Sequence, residues 1–127
     1  MNMNSRTAQR YPAPDTIMVH VKSRDDLIGR ICDISQGGMA FEYVQLWDDE
    51  TLLQTGEKST INILKNGAKL LDNATCTIAY CHTIVTNSAF PKFIPTCRCG
   101  LQFQSLTPNQ VDQLENILVS CGAYSCV

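Results

Sequence analysis

Residues 27–43 carry the sequence Leu-Ile-Gly-Arg-Ile-Cys-Asp-Ile-Ser-Gln-Gly-Gly-Met-Ala-Phe-Glu-Tyr, and this stretch decides the fold. Two apolar, partly β-branched runs flank a Gly-Gly pair, which is typical of two strands joined by a tight turn. A similar alternating run at residues 16–22 precedes them across a short polar turn. We therefore predict a hairpin of residues 16–22 with 27–34, followed by a third strand at residues 39–43.

The pattern of short strands continues along the chain. Residues 59–64 are β-branched and are followed by Asn66-Gly67, a strong hairpin signal. Residues 69–82 and 96–104 can form two further strands. Six strands with turn residues between them predict an all-β domain with one helix, either a small antiparallel barrel or a sandwich.

The chain ends in a predicted helix at residues 108–121. Thr107 suits the N-cap, Pro108 suits the first helical position, and Gln110 can complete a capping box. Gly122 suits the position after the last turn. The helix is expected to bury an apolar stripe against the β-structure, and this stripe comprises Val111, Leu114, Ile117, Leu118 and Cys121.

Length and charge bound the function. A chain of 127 residues is one domain, and we divide it into an N-terminal arm at residues 1–15 and a β-domain at residues 16–127. The net charge of −2 offers no general attraction to nucleic acid, so DNA binding is not expected. An anionic ligand would need a local group of arginines. No secretory or membrane-spanning stretch is present, which favours a cytoplasmic protein without membrane insertion.

The seven cysteines raise two alternatives to simple core packing. Their odd number and the lack of an export signal argue against a disulfide framework. Cys76, Cys81, Cys97 and Cys99 could hold zinc, but they lack the usual C-x₂-C spacing. Cys76 and Cys81 are expected on opposite faces of their strand. We predict no metal and no cofactor, while a metal- or redox-responsive module remains an alternative.

Two arginines in the arm form an R-x-x-x-R motif. Arg6 and Arg10 are followed by Pro12 and Pro14, which favour an extended arm. A guanidinium group grips phosphate through two hydrogen bonds and can stack flat on a purine. The arm would become ordered on the ligand, so that binding changes the shape of the surface.

A D-x-S-x-x-G motif occupies the predicted turn after residue 34. Asp33 and Ser35 lie two apart and should face one pocket together, while Ile34 points into the core. A carboxylate accepts hydrogen bonds from the Watson–Crick edge of guanine, and a hydroxyl both donates and accepts. Gly37 and Gly38 would let a base approach closely, because neither carries a Cβ atom.

Together these motifs resemble the PilZ domain family. The resemblance also includes Cys-Gly-Leu-Gln-Phe at residues 99–103 before a Ser-Leu-Thr-Pro helix start. It implies a six-stranded antiparallel β-barrel with a C-terminal helix and a flexible N-terminal arm. It also implies a bacterial, non-enzymatic receptor for the second messenger cyclic di-GMP. The implied ligand contacts are Arg6, Arg10, Asp33, Ser35 and Gly38, with Ser5, Gly37 and Arg98 as additional candidates.

The resemblance leaves the downstream output open. One cyclic di-GMP molecule or a stacked pair could bind, and we favour the pair. A protein partner in motility, adhesion or exopolysaccharide control is expected, and a homodimer is possible. An alternative function of a different class is a non-catalytic interaction module whose motif does not bind nucleotide. An enzyme is not expected, because neither His20 nor His82 has a nucleophile and an orienting carboxylate nearby in the pattern.

Overall fold

The computed structural model describes residues 9–23, 27–44, 53–84 and 96–122. These residues form seven strands and one helix. In chain order the elements are β1 (Tyr11–Pro12), β2 (Ile17–Val21), β3 (Leu27–Ile34), β4 (Gly38–Val44), β5 (Lys58–Lys65), β6 (Ala68–Ile84), β7 (Thr96–Phe103) and α1 (Pro108–Ser120).

Six of these strands close into an antiparallel barrel. Neighbouring strands follow the order β3-β2-β5-β6-β7-β4, and β4 pairs back onto β3. The hairpin of β2 with β3 has the predicted partners, with Met18 opposite Arg30 and Val21 opposite Leu27. Closure leaves no long unpaired edge in the six-stranded ring. The predicted barrel with a C-terminal helix is confirmed, and the sandwich is excluded.

A single apolar core fills the barrel. Side chains alternate inward and outward along the strands, so Ile17, Val19 and Val21 of β2 are each at most 1% exposed. Phe41 of β4 is fully buried in the same cluster, as is Ile78 of β6. Interiors of this kind are close-packed, so this core supports the strands that surround it.

A bulge in β6 changes which cysteines share a face. The register of β6 against β7 shifts between Ile78 and Tyr80. Since one extra residue reverses the alternation, Cys81 packs against the core that also buries Cys76. The expectation that these two cysteines lie on opposite faces is therefore wrong.

One disulfide is present in the described part of the chain, and it joins Cys81 to Cys99. The two residues lie directly opposite each other on β6 and β7. The bond therefore links adjacent strands. Four other cysteines lie within the described ranges, namely Cys32, Cys76, Cys97 and Cys121.

The helix begins and docks largely as the sequence predicts. The Thr107 side chain accepts a hydrogen bond from the Gln110 backbone, and the Gln110 side chain accepts one from the Thr107 backbone. Leu114, Ile117 and Leu118 are buried against the core. Val111, expected on the same stripe, is instead 39% exposed because it lies on the first turn. Within the described ranges, no helix has the length and apolarity that crossing a bilayer requires.

The last part of the predicted arm lies against the barrel. Tyr11 pairs with Ile34, and Pro12 pairs with Asp33, so that β1 adds a two-residue strand to β3. The Ala13 backbone N–H continues this attachment by donating to the Cys32 carbonyl at 3.1 Å. Residues 9–15 are therefore held beside the D-x-S-x-x-G turn. Ser5 and Arg6 lie outside the described residues.

Candidate functional site

A bulge at the end of β3 directs Asp33 outward. Along β3, Leu27, Gly29 and Ile31 face the core, and simple alternation would turn Asp33 inward as well. The register against β4 shifts between Ile31 and Asp33, so that Ile34 enters the core instead. Bulges commonly re-aim a side chain in this way. The carboxylate of Asp33 thus reaches the rim of the barrel, where it is 25% exposed.

Ser35 holds the turn between β3 and β4. Its Oγ accepts hydrogen bonds from the backbone N–H groups of Gly37 and Gly38, each at 3.2 Å. The same hydroxyl donates to the Gly38 carbonyl at 3.3 Å, and the residue is 4% exposed. Such side-chain bonds to local backbone are typical of serine in turns. The described contacts of the hydroxyl are therefore all within the turn, and a contact with guanine stays a prediction.

The two glycines of the turn have different surroundings. A Cβ atom on Gly38 would overlap the carbonyl oxygen of Leu101, because β7 passes directly beside it. A Cβ atom on Gly37 would meet nothing within 4 Å. Gly38 is thus needed for packing of β4 against β7, whereas Gly37 presents open backbone on the outside of the turn.

Arg10 joins the arm to this turn by an ion pair. Its Nη1 donates to Oδ1 of Asp33 at 2.8 Å. The pairing of Pro12 with Asp33 brings the two side chains together, although they are far apart in sequence. The Arg10 side chain is 55% exposed, so its guanidinium group remains accessible to a ligand. The R-x-x-x-R motif and the D-x-S-x-x-G motif are therefore in direct contact through one residue of each.

Arg98 approaches the same carboxylate from the barrel wall. Its Nη2 lies 3.9 Å from Oδ2 of Asp33, and its Nη1 donates to Oε2 of Glu42 at 2.9 Å. Glu42 lies opposite Arg98 on β4 and β7, and it is also opposite Arg30 on β3. Arg30 contacts Oε1 of Glu42 at 3.3 Å and Asp15 at 3.6 Å. We call these six residues the charge row; they are Arg10, Asp15, Arg30, Asp33, Glu42 and Arg98.

Partners around Arg98 raise its pKa. Burial acts to lower the pKa of the guanidinium group, but the hydrogen bond with Glu42, followed by Cys32 and Tyr80, outweighs it. The Cys32 thiol also has a raised pKa, first because of burial and then because of the nearby Glu42 carboxylate. Arg98 therefore stays cationic and Cys32 stays a neutral thiol at neutral pH.

An aromatic pair extends the charge row along the barrel wall. Tyr80 contributes to the raised pKa of Arg98, and its ring stacks on His82 with 5.5 Å between the centroids. A Cβ atom at Gly100 would collide with the Tyr80 ring, so the missing side chain there lets the ring lie flat. Tyr80 and Glu42 were not predicted from the sequence. The register of β4 with β7 brings Glu42 to Arg98, and only strand pairing reveals this neighbour.

The structure thus brings together three candidate ligand contacts, namely Arg10, Asp33 and Arg98. Ser35, Gly37 and Gly38 form the adjoining turn. Ser5 and Arg6 are outside the described residues, so their roles stay predictions. Among residues 9–23, 27–44, 53–84 and 96–122, no three His, Cys, Asp or Glu side chains are grouped to hold a metal ion.

Comparison with solved structures shows what this chain is similar to. The PilZ domain of YcgR from Escherichia coli with c-di-GMP superimposes with a TM-score of 0.73 at 21% identity, covering 94% of this chain and 93% of that one. MrkH from K. pneumonia in its apo state superimposes with a TM-score of 0.68 at 12% identity over 92% of this chain. The MrkH–c-di-GMP complex superimposes with a TM-score of 0.67 at 15% identity over 91% of this chain.

The lengths of these relatives differ. The chain spans about half of MrkH, with 49% coverage of the apo chain and 51% of the complex. At these identities the likeness establishes the fold. No curated protein matches the chain significantly by sequence. The model of the PilZ domain matches residues 4–120, which is nearly the whole chain, and the protein therefore belongs to the PilZ domain family.

Proposed function

We propose that this protein is a cytoplasmic, non-catalytic receptor for cyclic di-GMP, and that the two motifs bind one ligand surface together. The observation that carries the proposal is the 2.8 Å contact between Arg10 and Asp33. It supports the proposal because the side chain that would bind phosphate and the side chain that would contact guanine are in contact on the barrel rim. The related domain of YcgR, which has the same fold, was solved with c-di-GMP.

Ligand binding would replace the contact between Arg10 and Asp33 with contacts from each of them to the ligand. The phosphodiester of cyclic di-GMP offers an anion to Arg10, and the Watson–Crick edge of guanine offers N–H donors to Asp33. Arg98 lies near the other carboxylate oxygen and would keep Asp33 oriented while Arg10 moves. A half-exposed ion pair contributes only about 0–1 kcal/mol, so the ligand can displace it readily.

The charge balance indicates why both arginines of the motif are needed. The charge row contains three guanidinium groups and three carboxylates in mutual contact, so it carries no net positive charge. A dianionic ligand therefore requires a further cation. Arg6 would supply it, and its guanidinium group would also stack on guanine. A stacked pair of ligand molecules would use both arginines, and this is the stoichiometry that we favour.

The turn would contribute mainly through its backbone. Ser35 fixes the N–H groups of Gly37 and Gly38, and Gly37 leaves open space on the outer side. A guanine could approach the turn there, with Ser35 keeping the turn in shape. Attachment of residues 1–8 to the bound ligand would then reshape the rim, and a protein partner in motility, adhesion or exopolysaccharide control would read that change.

Calorimetric titration with cyclic di-GMP, and with GTP for comparison, tests this proposal. Saturable binding is expected for cyclic di-GMP and not for GTP. Arg10→Ala and Asp33→Ala should each weaken it by about tenfold or more, since each loses a charge-assisted contact. Asp112→Ala on α1 makes the same charge change as Asp33→Ala at a position outside the charge row and should stay within about twofold of the wild type. Wild-type affinity in both rim variants would refute the proposal.

The competing interaction module has one observation in its favour. Arg10 and Asp33 already satisfy each other without a ligand, as a purely structural clip between arm and barrel would. A clip predicts that cyclic di-GMP does not raise the melting temperature, whereas a ligand that binds the native state must raise it. A thermal melt with and without the nucleotide therefore separates the two functions.

A further inference from the structure

A concave surface lies where the end of β2 meets β5 and β6. It is an open cavity of about 470 Å³, within the range of small-molecule sites. β2 and β3 pair from Val21 opposite Leu27 at this end, whereas Asp33 is at the other end of β3. We call it the lysine pocket, and its lining residues are Lys22, Ser23, Lys58, Ser59, Thr60 and Asn73.

Hydrogen bonds organise the wall of the lysine pocket. The hydroxyls of Ser23 and Ser59 are 2.7 Å apart, and Ser59 is only 6% exposed. Lys22 donates through its ammonium group to Oδ1 of Asn73 and through its backbone N–H to the Thr60 carbonyl. The end of β2 is therefore fastened to both β5 and β6, and the polar groups are held in place.

A bulge supports Asn73 from behind. The register of β6 against β5 is irregular around Asn62, whose buried Oδ1 accepts from the Asn73 backbone N–H at 2.8 Å. Asn73 adopts a left-handed backbone with φ of 55°, a conformation that asparagine tolerates better than most residues. On the other side, Gln110 of α1 donates to the carbonyls of Asp72 and Asn73, each at 2.9 Å. This support positions the Asn73 side chain in the pocket.

The lining is rich in donors and carries positive charge. Its members supply two ammonium groups, three hydroxyls and one amide, and none of them is acidic. In the described part of the chain, neither Lys22 nor Lys58 forms an ion pair with a carboxylate. By contrast, every arginine of the charge row contacts a carboxylate. Two ammonium groups beside fixed hydroxyls are the chemistry that a phosphate group requires.

We propose that the lysine pocket binds the phosphate group of a small ligand, independently of the charge row. Lys22 and Lys58 would contact the phosphate oxygens, and the hydroxyl residues and Asn73 would add neutral hydrogen bonds. The cavity is larger than a free phosphate ion, so it can also take the organic part of a phosphate monoester. Free phosphate and a monoester share this chemistry, and the experiment distinguishes them.

Amide chemical shifts of the ¹⁵N-labelled full chain test the site at constant ionic strength. The probes are inorganic phosphate, ribose 5-phosphate, and ribose as the uncharged control. Saturable shifts are expected at the amides that line the pocket, with a Kd of about 1 mM for the better phosphate ligand. Tighter binding of ribose 5-phosphate would identify a phosphate monoester as the ligand, and tighter binding of inorganic phosphate would identify the free ion. Ribose should cause no shift there.

Variants with matched charge changes complete the test. Lys22→Gln with Lys58→Gln should weaken binding by about tenfold, because both charge-assisted contacts are lost. Lys65→Gln removes the same charge from the other end of β5 and should leave binding unchanged. Arg10→Ala should also leave it unchanged, which separates this site from the cyclic di-GMP proposal. Linear, unsaturated shifts, or equal binding by the double lysine variant, would overturn the assignment.

Discussion

At the scale of single residues, the ion pairs of the charge row differ in exposure. Asp33 is contacted by Arg10 at one oxygen and approached by Arg98 at the other. The pair with Arg10 is solvent-accessible and therefore weak, while Arg98 is 32% exposed and also bonded to Glu42. The two arginines are thus held differently. In the function that we propose, Arg10 would leave Asp33 for a phosphate, whereas Arg98 would keep its contact with Glu42 on the barrel wall.

The two turn glycines provide a matched comparison at the same scale. Gly38→Ala should lower the free energy of unfolding by about 1–3 kcal/mol, because its methyl group would overlap the Leu101 carbonyl. Gly37→Ala should change it by less than about 0.5 kcal/mol, since the added methyl meets open space. Urea unfolding measures both. Equal losses in the two variants would contradict the packing role assigned to Gly38.

Ser35 offers a second residue-scale prediction. Ser35→Ala removes the buried acceptor of the Gly37 and Gly38 N–H groups, at a cost of about 1–3 kcal/mol in unfolding free energy. Gln36→Ala, an exposed change in the same turn, should be nearly neutral. Urea unfolding again gives the comparison. If Ser35→Ala is as stable as the wild type, the hydroxyl does not hold the turn.

At the scale of elements, α1 and β6 stabilise each other through Gln110. One side chain completes the capping box of α1 and donates to two carbonyls of the β6 bulge. The helix start is therefore tied to the strand that forms one wall of the lysine pocket. The apolar contacts of Leu114, Ile117 and Leu118 then bury the following turns.

This double role makes Gln110 more important than the N-cap itself. Thr107→Ala should cost about 1 kcal/mol of unfolding free energy through loss of the cap. Gln110→Ala should cost more, about 2 kcal/mol, because the Asp72 and Asn73 carbonyls lose donors as well. Asn116→Ala, an exposed change on the same helix, is the control. A smaller loss for Gln110→Ala than for Thr107→Ala would contradict the link to β6.

At the scale of the whole molecule, burial of a thiol in the closed barrel is expected to make the unfolding free energy fall as the pH becomes alkaline. Burial raises the pKa of the Cys76 thiol to about 11, against a partial lowering by a backbone hydrogen bond from Ser59. The unfolded thiol titrates near 9.0. A folded pKa above the unfolded one stabilises the native state below pH 9, and this contribution is lost as the pH rises from about 9 to about 11.

Unfolding free energies between pH 8 and pH 11 test this linkage. The wild type should lose stability over the upper part of that range, and Cys76→Ala should lose less of it, although its stability at pH 8 is lower because a core side chain is truncated. Other ionisations affect both proteins alike, so the difference between the two pH profiles isolates the thiol. Parallel profiles would contradict the prediction.

Several local features could be predicted from the sequence because they depend on neighbours along the chain. Alternation located the barrel strands, and the capping signals located the start of α1 at Pro108. The two motifs pointed to Arg10 and Asp33 as partners in one site. Where alternation was extended through a bulge it failed, as at Cys81, because the extra residue reverses the faces.

The sequence by itself determined the positions of the strands along the chain, the capped helix and the family motifs, since each follows from local propensity and spacing. Only the tertiary structure decided that Ser35 turns inward to hold the turn instead of facing a pocket with Asp33, and that Glu42 joins Arg98 to Arg30. Those outcomes depend on strand register and barrel closure. Register is a property of two strands at once, so neither strand's own sequence specifies which side chains will meet.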